Sequence, residues 1–364
     1  ANGNNGSAPY SGHARVYAWD GSAWTQVGGD INGEAGSDYS GWKVAMNNAG
    51  NRVLVGAIYN TGNGYRAGHA RMFSYDGTNW VQMGSDIDGE NAEDEFSWSA
   101  AMNGAGSRVV ISAYKNDGTG TNAGHTRIFD WDGTTWNQLG SDIDAEAAED
   151  QAGYAVSMSD AGDRIAIGAN YNDGAGTNTN SGHVRIYDWN GSSWAQVGSD
   201  INGEAAGDES GYSVSLNKTG NLVAIGAPKN DGTGSDGGQV RVYSYNGSSW
   251  SKLGQDIDGE TAYDYFGSSV ALNDDGDRLI VGATNNSANG PSSGHIRIFD
   301  WNSSSNTWVQ AGDDLDGEAA GDQSGYAIAI NAFGNIIASG APNNAGSGTG
   351  SGHVRVYQSN LCNI

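Results

Sequence analysis

The chain has a single cysteine, Cys362, so no disulfide can form within it. Cations are scarce: 17 Lys and Arg against 42 Asp and Glu leave a formal net charge of −25. Such a surface repels nucleic acid and anionic membranes, both of which need a cationic patch to displace their counterions. Cations, glycans or a basic partner suit it better. No apolar run approaches the ~20 residues of a membrane helix, so no membrane insertion is expected. There is no initiator Met and no leader-like segment, so the chain reads as mature or trimmed. Helical periodicity is missing throughout. So are HExxH, Gly-x-Ser-x-Gly, a phosphate-binding loop and paired cysteines. Every polar residue type recurs along the chain, and no asymmetric acid, base and nucleophile come together. The chain is therefore expected not to be an enzyme.

What is there is repetition. Gly-His-x-Arg recurs at His13, His69, His125, His183, His295 and His353, with Gln239 in the one remaining slot; the spacings are 56, 56, 58, 56, 56 and 58 residues. All six histidines occupy this slot. One unit holds four strand signals. Strand a alternates Tyr212, Val214 and Leu216. Strand b is the nearly continuous apolar run 222–227, as expected of a strand covered on both faces. Strand c is 183–189 and strand d begins at Trp194. Asn190-Gly191, Asp20-Gly21, Asp76-Gly77, Asp132-Gly133 and Asn246-Gly247 separate c from d and predict two-residue type I′ turns. Trp19, Trp131, Trp189 and Trp301 end strand c opposite Trp24, Trp136, Trp194 and Trp308, predicting cross-strand pairs.

Four-stranded units of this length predict an all-β chain, a single β-propeller domain over 1–364 with about six blades, seven being the alternative. The order is c-d, then a-b-c-d five times, then a-b-c. This makes seven c strands against six each of a, b and d, one surplus terminal strand. A surplus strand can lie on an edge, begin another blade or pair with another molecule.

The unit resembles the FG-GAP repeat of integrin-α-type propellers. The matching residues are Phe266-Gly267 opening strand a, Gly226-Ala227-Pro228 and Gly340-Ala341-Pro342 ending strand b, and Gly352-His353-Val354-Arg355-Val356-Tyr357 as strand c. The resemblance implies an extracellular or cell-surface adhesion or recognition propeller. Its calcium hairpin, Asp-x-Asp-x-Asp-Gly between a and b, is missing here, so calcium is not carried over at that place. Six Asn-x-Ser/Thr sequons, at Asn5, Asn190, Asn217, Asn246, Asn285 and Asn302, fit a surface glycoprotein.

The densest acid lies in the d-to-a connectors. The carboxylates are Asp30, Glu34 and Asp38; Asp86, Asp88, Glu90 and Asp94; Asp142, Asp144, Glu146 and Asp150; Asp200, Glu204 and Asp208; Asp256, Asp258, Glu260 and Asp264; and Asp314, Asp316, Glu318 and Asp322. Carboxylates so spaced around a glycine can wrap Ca²⁺, which takes 6–8 oxygens. Alternatively they cap loop amides or bond the His and Arg of a neighbouring strand c. The b-to-c loops emerge on the same propeller face and carry candidate ligand contacts: Tyr59, Tyr114, Asn116, Asp117, Tyr171, Asn172, Asp173, Asn230 and Asp231. Sugar stacking on the outer Trp residues is a further option. The His row, third from the axis, is expected to buttress the blades, and the Arg two residues on to pair between them. Two functions compete: recognition of a glycan or surface protein, or assembly with copies of itself through the surplus strand.

Overall fold

The computed structural model describes residues 3–174, 179–348 and 350–358. Ala175 and Gly176 of the third b-to-c loop, and Cys362, lie outside them. The chain is an all-β propeller of six blades, and no helix occurs among the described residues.

Two compact units divide it, residues 1–163 with 189–195, and residues 164–188 with 196–364. The first unit holds the hairpin Tyr17–Trp19 and Trp24–Gln26. It also holds the antiparallel sheets Ser40–Met46, Arg52–Ala57, His69–Tyr75, Trp80–Gln82 and Ala100–Met102, Arg108–Ala113, His125–Trp131, Trp136–Gln138. The second holds Ser213–Leu216, Leu222–Ala227, Gln239–Tyr245, Trp250–Lys252 and Phe266–Leu272, Arg278–Ala283, His295–Asn302, Thr307–Gln310. Its last sheet has three strands, Ala327–Ile330, Ile336–Ala341 and His353–Gln358. The strands of the repeat between 152 and 196 are shared out over both units.

The strand b runs are buried as their apolar continuity requires; Val109, Val110 and Ile111 are wholly enclosed. Core forms where one repeat faces the next. In the first unit Leu54, Ala70 and Met72 pack with Phe96, Val109, Ile111 and Phe129. In the second, Val240 and Val242 pack with Phe266, Phe299 and Trp308. The predicted tryptophan pairs form: Trp19 lies opposite Trp24, Trp131 opposite Trp136 and Trp301 opposite Trp308. The sequence did not show that the d-strand indole also reaches the preceding repeat. Trp80 Nε1 donates to the Val27 carbonyl at 2.8 Å and Trp308 Nε1 to that of Leu253 at 3.1 Å.

One expectation needs correction. The Asp-Gly pairs do not make two-residue type I′ turns. Tyr75 pairs with Trp80 across four loop residues, and Asp76 Oδ1 accepts from the amides of Thr78 and Asn79. Only Gly77 takes positive φ, at 99°. An Asx turn uses the aspartate side chain where a type I′ turn would need it in the left-handed region. The acidic connectors hold a further short strand. Ile87–Asp88 returns to strand c, with Asp88 opposite His69, and Ile143–Asp144 likewise places Asp144 opposite His125. Strand d is thus broken in two by a short turn, and both halves lie on one edge of strand c.

Candidate functional site

The histidine slot opens strand c. The glycine before it, Gly68, has φ 78°, and a Cβ there would sit 2.3 Å from the Phe96 carbonyl oxygen. Backbone contact this close seats the next residue, His69, against its neighbours. His69 is 1% exposed. Its Nδ1 lies 3.7 Å from Asp86 Oδ2 and 3.9 Å from Glu34 Oε2. Asp86 comes from the same repeat, whereas Glu34 comes from the preceding one. His125 repeats the arrangement, with Asp142 Oδ2 at 3.8 Å and Glu90 Oε2 at 3.9 Å. In the second unit Glu260, His295 and Asp314 form the same group.

Glu34 and Asp86 come from successive connectors, so each group draws its carboxylates from two connectors and not from one. The connector carboxylates divide among four settings. Asp86, Asp142, Asp200 and Asp314 each accept from the glutamine four residues earlier; Asp30 accepts from Gln26 and pairs with Arg15 at 2.7 Å, and Asp256 takes Lys252. Glu34, Glu90, Glu204, Glu260 and Glu318 reach forward to the strand c arginine, Arg71, Arg127, Arg241, Arg297 and Arg355 respectively. Glu146 is exposed. Asp38, Asp94, Asp150, Asp208, Asp264 and Asp322 are buried loop caps that accept from the amide three residues back. Asp88, Asp144, Asp258 and Asp316 occupy the short return strand beside the His slot.

The loop candidates are drawn into the same scaffold. The Asn116 and Asn230 amides donate to Asp94 and Asp208 at 3.0 Å each. Asn172 is buried and accepts from Gly174. Asp117, Asp173 and Asp231 accept from backbone amides across their loops. Tyr171 is half-buried. Tyr59 lies edge-on to Tyr39 and under the Arg66 guanidinium, at 4.2 Å. Tyr114 is buried; its hydroxyl donates to Glu95 Oε2 at 3.2 Å, and Lys115 Nζ lies 2.9 Å from Glu95 Oε1. Glu95 was not anticipated. It holds φ 52° in a row of non-glycine left-handed residues, with Gln151 at 55° and Glu209 at 55°. No glycine marks that row in the sequence.

Burial, reinforced by the neighbouring arginine, pulls the His69, His125 and His183 imidazoles down to about 4. They are neutral at pH 7. The unfolded chain binds protons near 6.5, so stability is fully present above that pH and is lost as pH falls through 6.5 toward 4. Each imidazole contributes at most about 3 kcal/mol to this loss. The melting temperature should fall steeply across that window, and His69→Gln should flatten the profile. A melting temperature unchanged from pH 7 to 4 would exclude this coupling.

The fold is a β-propeller of repeated blades, and it fits an FG-GAP-type propeller. The FG-GAP repeat family matches residues 257–299, which include the Phe266-Gly267 pair. No curated protein matches the chain in sequence. Among solved structures, the periplasmic gluconolactonase of Pseudomonas aeruginosa is 14% identical, with 94% of each chain covered and a TM-score of 0.59. A Bacteroides uniformis protein named as a 6-phosphogluconolactonase is 11% identical over 94% of this chain and 90% of that one, with a TM-score of 0.62. Hydrazine synthase of Kuenenia stuttgartiensis is 11% identical over 82% and 73%, with a TM-score of 0.52. These likenesses overturn the expectation that the chain is not an enzyme. Two of the propellers it resembles are named as lactonases, so a repeating blade architecture is no argument against catalysis. At such identity the likeness shows the fold alone.

Proposed function

We propose that the chain is an extracellular assembly propeller that joins copies of itself head to tail through the exposed edge of its last described repeat and its exposed first hairpin. One contrast carries the reading. Val240 is wholly buried, yet Val354, the same position of the last repeat, is 70% exposed. Val356 is likewise 40% exposed where Val242 is buried. The outer edge of His353–Gln358 has no strand d beside it among the described residues.

The first hairpin is the counterpart. Tyr17 and Trp24 are 48% and 49% exposed, whereas their equivalents Phe299 and Trp308 are 4% and 3% exposed. Inside the chain, Phe299 and Trp308 cover Val240 and Val242. Tyr17 and Trp24 of one copy therefore match Val354 and Val356 of another by the chain's own repeat geometry. The contact is heterologous, which generates rings or filaments. The extracellular setting is supported by the FG-GAP likeness and by the sequons. No helix among the described residues is long and apolar enough to cross a membrane.

Light scattering tests the proposal. The wild-type chain should form species well above the 37.6 kDa of one copy, growing with concentration. A monomer up to the highest soluble concentration would refute assembly.

A further inference from the structure

The His slots hold a pattern that buttressing does not explain. In each of two joints of the first unit, both carboxylates have one oxygen occupied and the other turned to the imidazole. Arg71 lies 3.5 Å from Glu34 Oε1, leaving Oε2 toward His69. Gln82 donates to Asp86 Oδ1 at 2.6 Å, leaving Oδ2 toward His69. The joint at His125 uses Arg127 and Gln138 in the same way. Separations of 3.7–3.9 Å from Nδ1 are too long for a hydrogen bond. They are close to the span of two ligands on one metal: two bonds of about 2.1 Å at a tetrahedral angle span about 3.4 Å.

Two further observations point to a bound cation. His295 is 1% exposed, and neither ring nitrogen has a hydrogen-bond partner. Its Nδ1 faces Asp314 Oδ2 at 3.6 Å and Asp316 Oδ1 at 3.9 Å, and Asp316 Oδ1 is itself buried without a partner. Orphaned buried atoms of complementary type, aimed at one another across a gap, are costly unless something fills the gap. The chain also contains its own exception. Where Gln239 replaces histidine, its amide donates directly to Asp258 at 3.2 Å. In that same repeat the position of Gln82 is Lys252, whose ammonium lies 2.8 Å from Asp256. A cationic side chain stands there, and only there among these joints, in place of the neutral glutamine.

We propose that the Glu–His–Asp groups are binding sites for a first-row divalent metal ion, held between a glutamate of one repeat and the histidine and aspartate of the next. An imidazole with two carboxylates suits Zn²⁺ or its neighbours, whereas Ca²⁺ prefers an all-oxygen shell. Each ion links consecutive repeats, so metal stiffens the stacked repeats joint by joint.

Titration of the intact chain with Zn²⁺ by calorimetry, and with Co²⁺ by visible absorption, tests this. At least three equivalents should bind, and the melting temperature should rise with Zn²⁺ and return on chelation. His69→Gln, His125→Gln and His295→Gln should each remove one equivalent. Gln82→Lys, which copies Lys252 at an accessible position, should remove the His69 site without touching a ligand. Glu34→Gln should weaken that site tenfold or more, in line with the effect of disturbing a metal shell. An unchanged Zn²⁺ stoichiometry in both His69→Gln and Gln82→Lys, no Zn²⁺ binding, or Ca²⁺ bound as tightly as Zn²⁺ would overturn the proposal.

Discussion

Val240→Asp should destabilise the chain by on the order of 4 kcal/mol, while Val354→Asp, at the same repeat position, should change its stability by no more than about 0.5 kcal/mol. Val240 is sealed between repeats with Phe266, Phe299 and Trp308. A carboxylate there loses its water among apolar side chains. Val354 stands 70% exposed on an edge strand, so its aspartate remains hydrated. Urea unfolding of the two variants reads the difference directly. The same Val354→Asp change should reduce assembled species to monomer, because a charge then sits where Tyr17 and Trp24 of another copy would dock. Equal destabilisation by both changes would mean that the last repeat is covered in solution by its own chain. Assembly through that face would then fail as an explanation.

Gly68→Ala should cost several kcal/mol, while Gly77→Ala costs about 1–2 kcal/mol. Both glycines have positive φ, 78° and 99°. A methyl at Gly77 meets nothing within 4 Å, so only the backbone preference is lost. A methyl at Gly68 would lie 2.3 Å from the Phe96 carbonyl oxygen and 2.7 Å from its amide nitrogen. Those atoms are backbone and cannot swing aside. Relief requires the start of strand a to move away from strand c, and with it Phe96, which is fully buried in the core shared with Leu54 and Met72. Denaturation midpoints of the two variants should separate clearly. Comparable midpoints would show that the approach of Phe96 to Gly68 is not essential.

Much of this was legible in the residues. A period of 56–58 residues implied blades, because a unit that cannot bury its own faces must stack on a copy of itself. Continuous apolar runs such as Leu222–Ala227 marked the strands covered on both sides, and alternation marked strand a. The Trp pairs followed from their places on either side of each c–d hairpin. The surplus of one c strand announced that the two ends differ from the interior. The turn chemistry was misread because Asp76-Gly77 looks the same in a type I′ turn and in an Asx turn. The choice depends on whether the aspartate side chain or its backbone satisfies the next amides.

The acidic connectors were harder. Residues 86–94 look like one ion-wrapping segment, yet Asp86, Glu90 and Asp94 go to three places. Sequence spacing does not record that Ile87–Asp88 folds back onto strand c, turning Asp86 to its own histidine and sending Glu90 on to the next. By itself the sequence determined the repeat, its four strands, the acidic charge and the unequal ends, because each is written in local pattern and period. Only the tertiary structure decided which carboxylates meet a histidine, which cap a loop, and which valines are left uncovered. Those outcomes depend on how one repeat lies against the next, and residues with identical local sequence differ solely in what that neighbour provides.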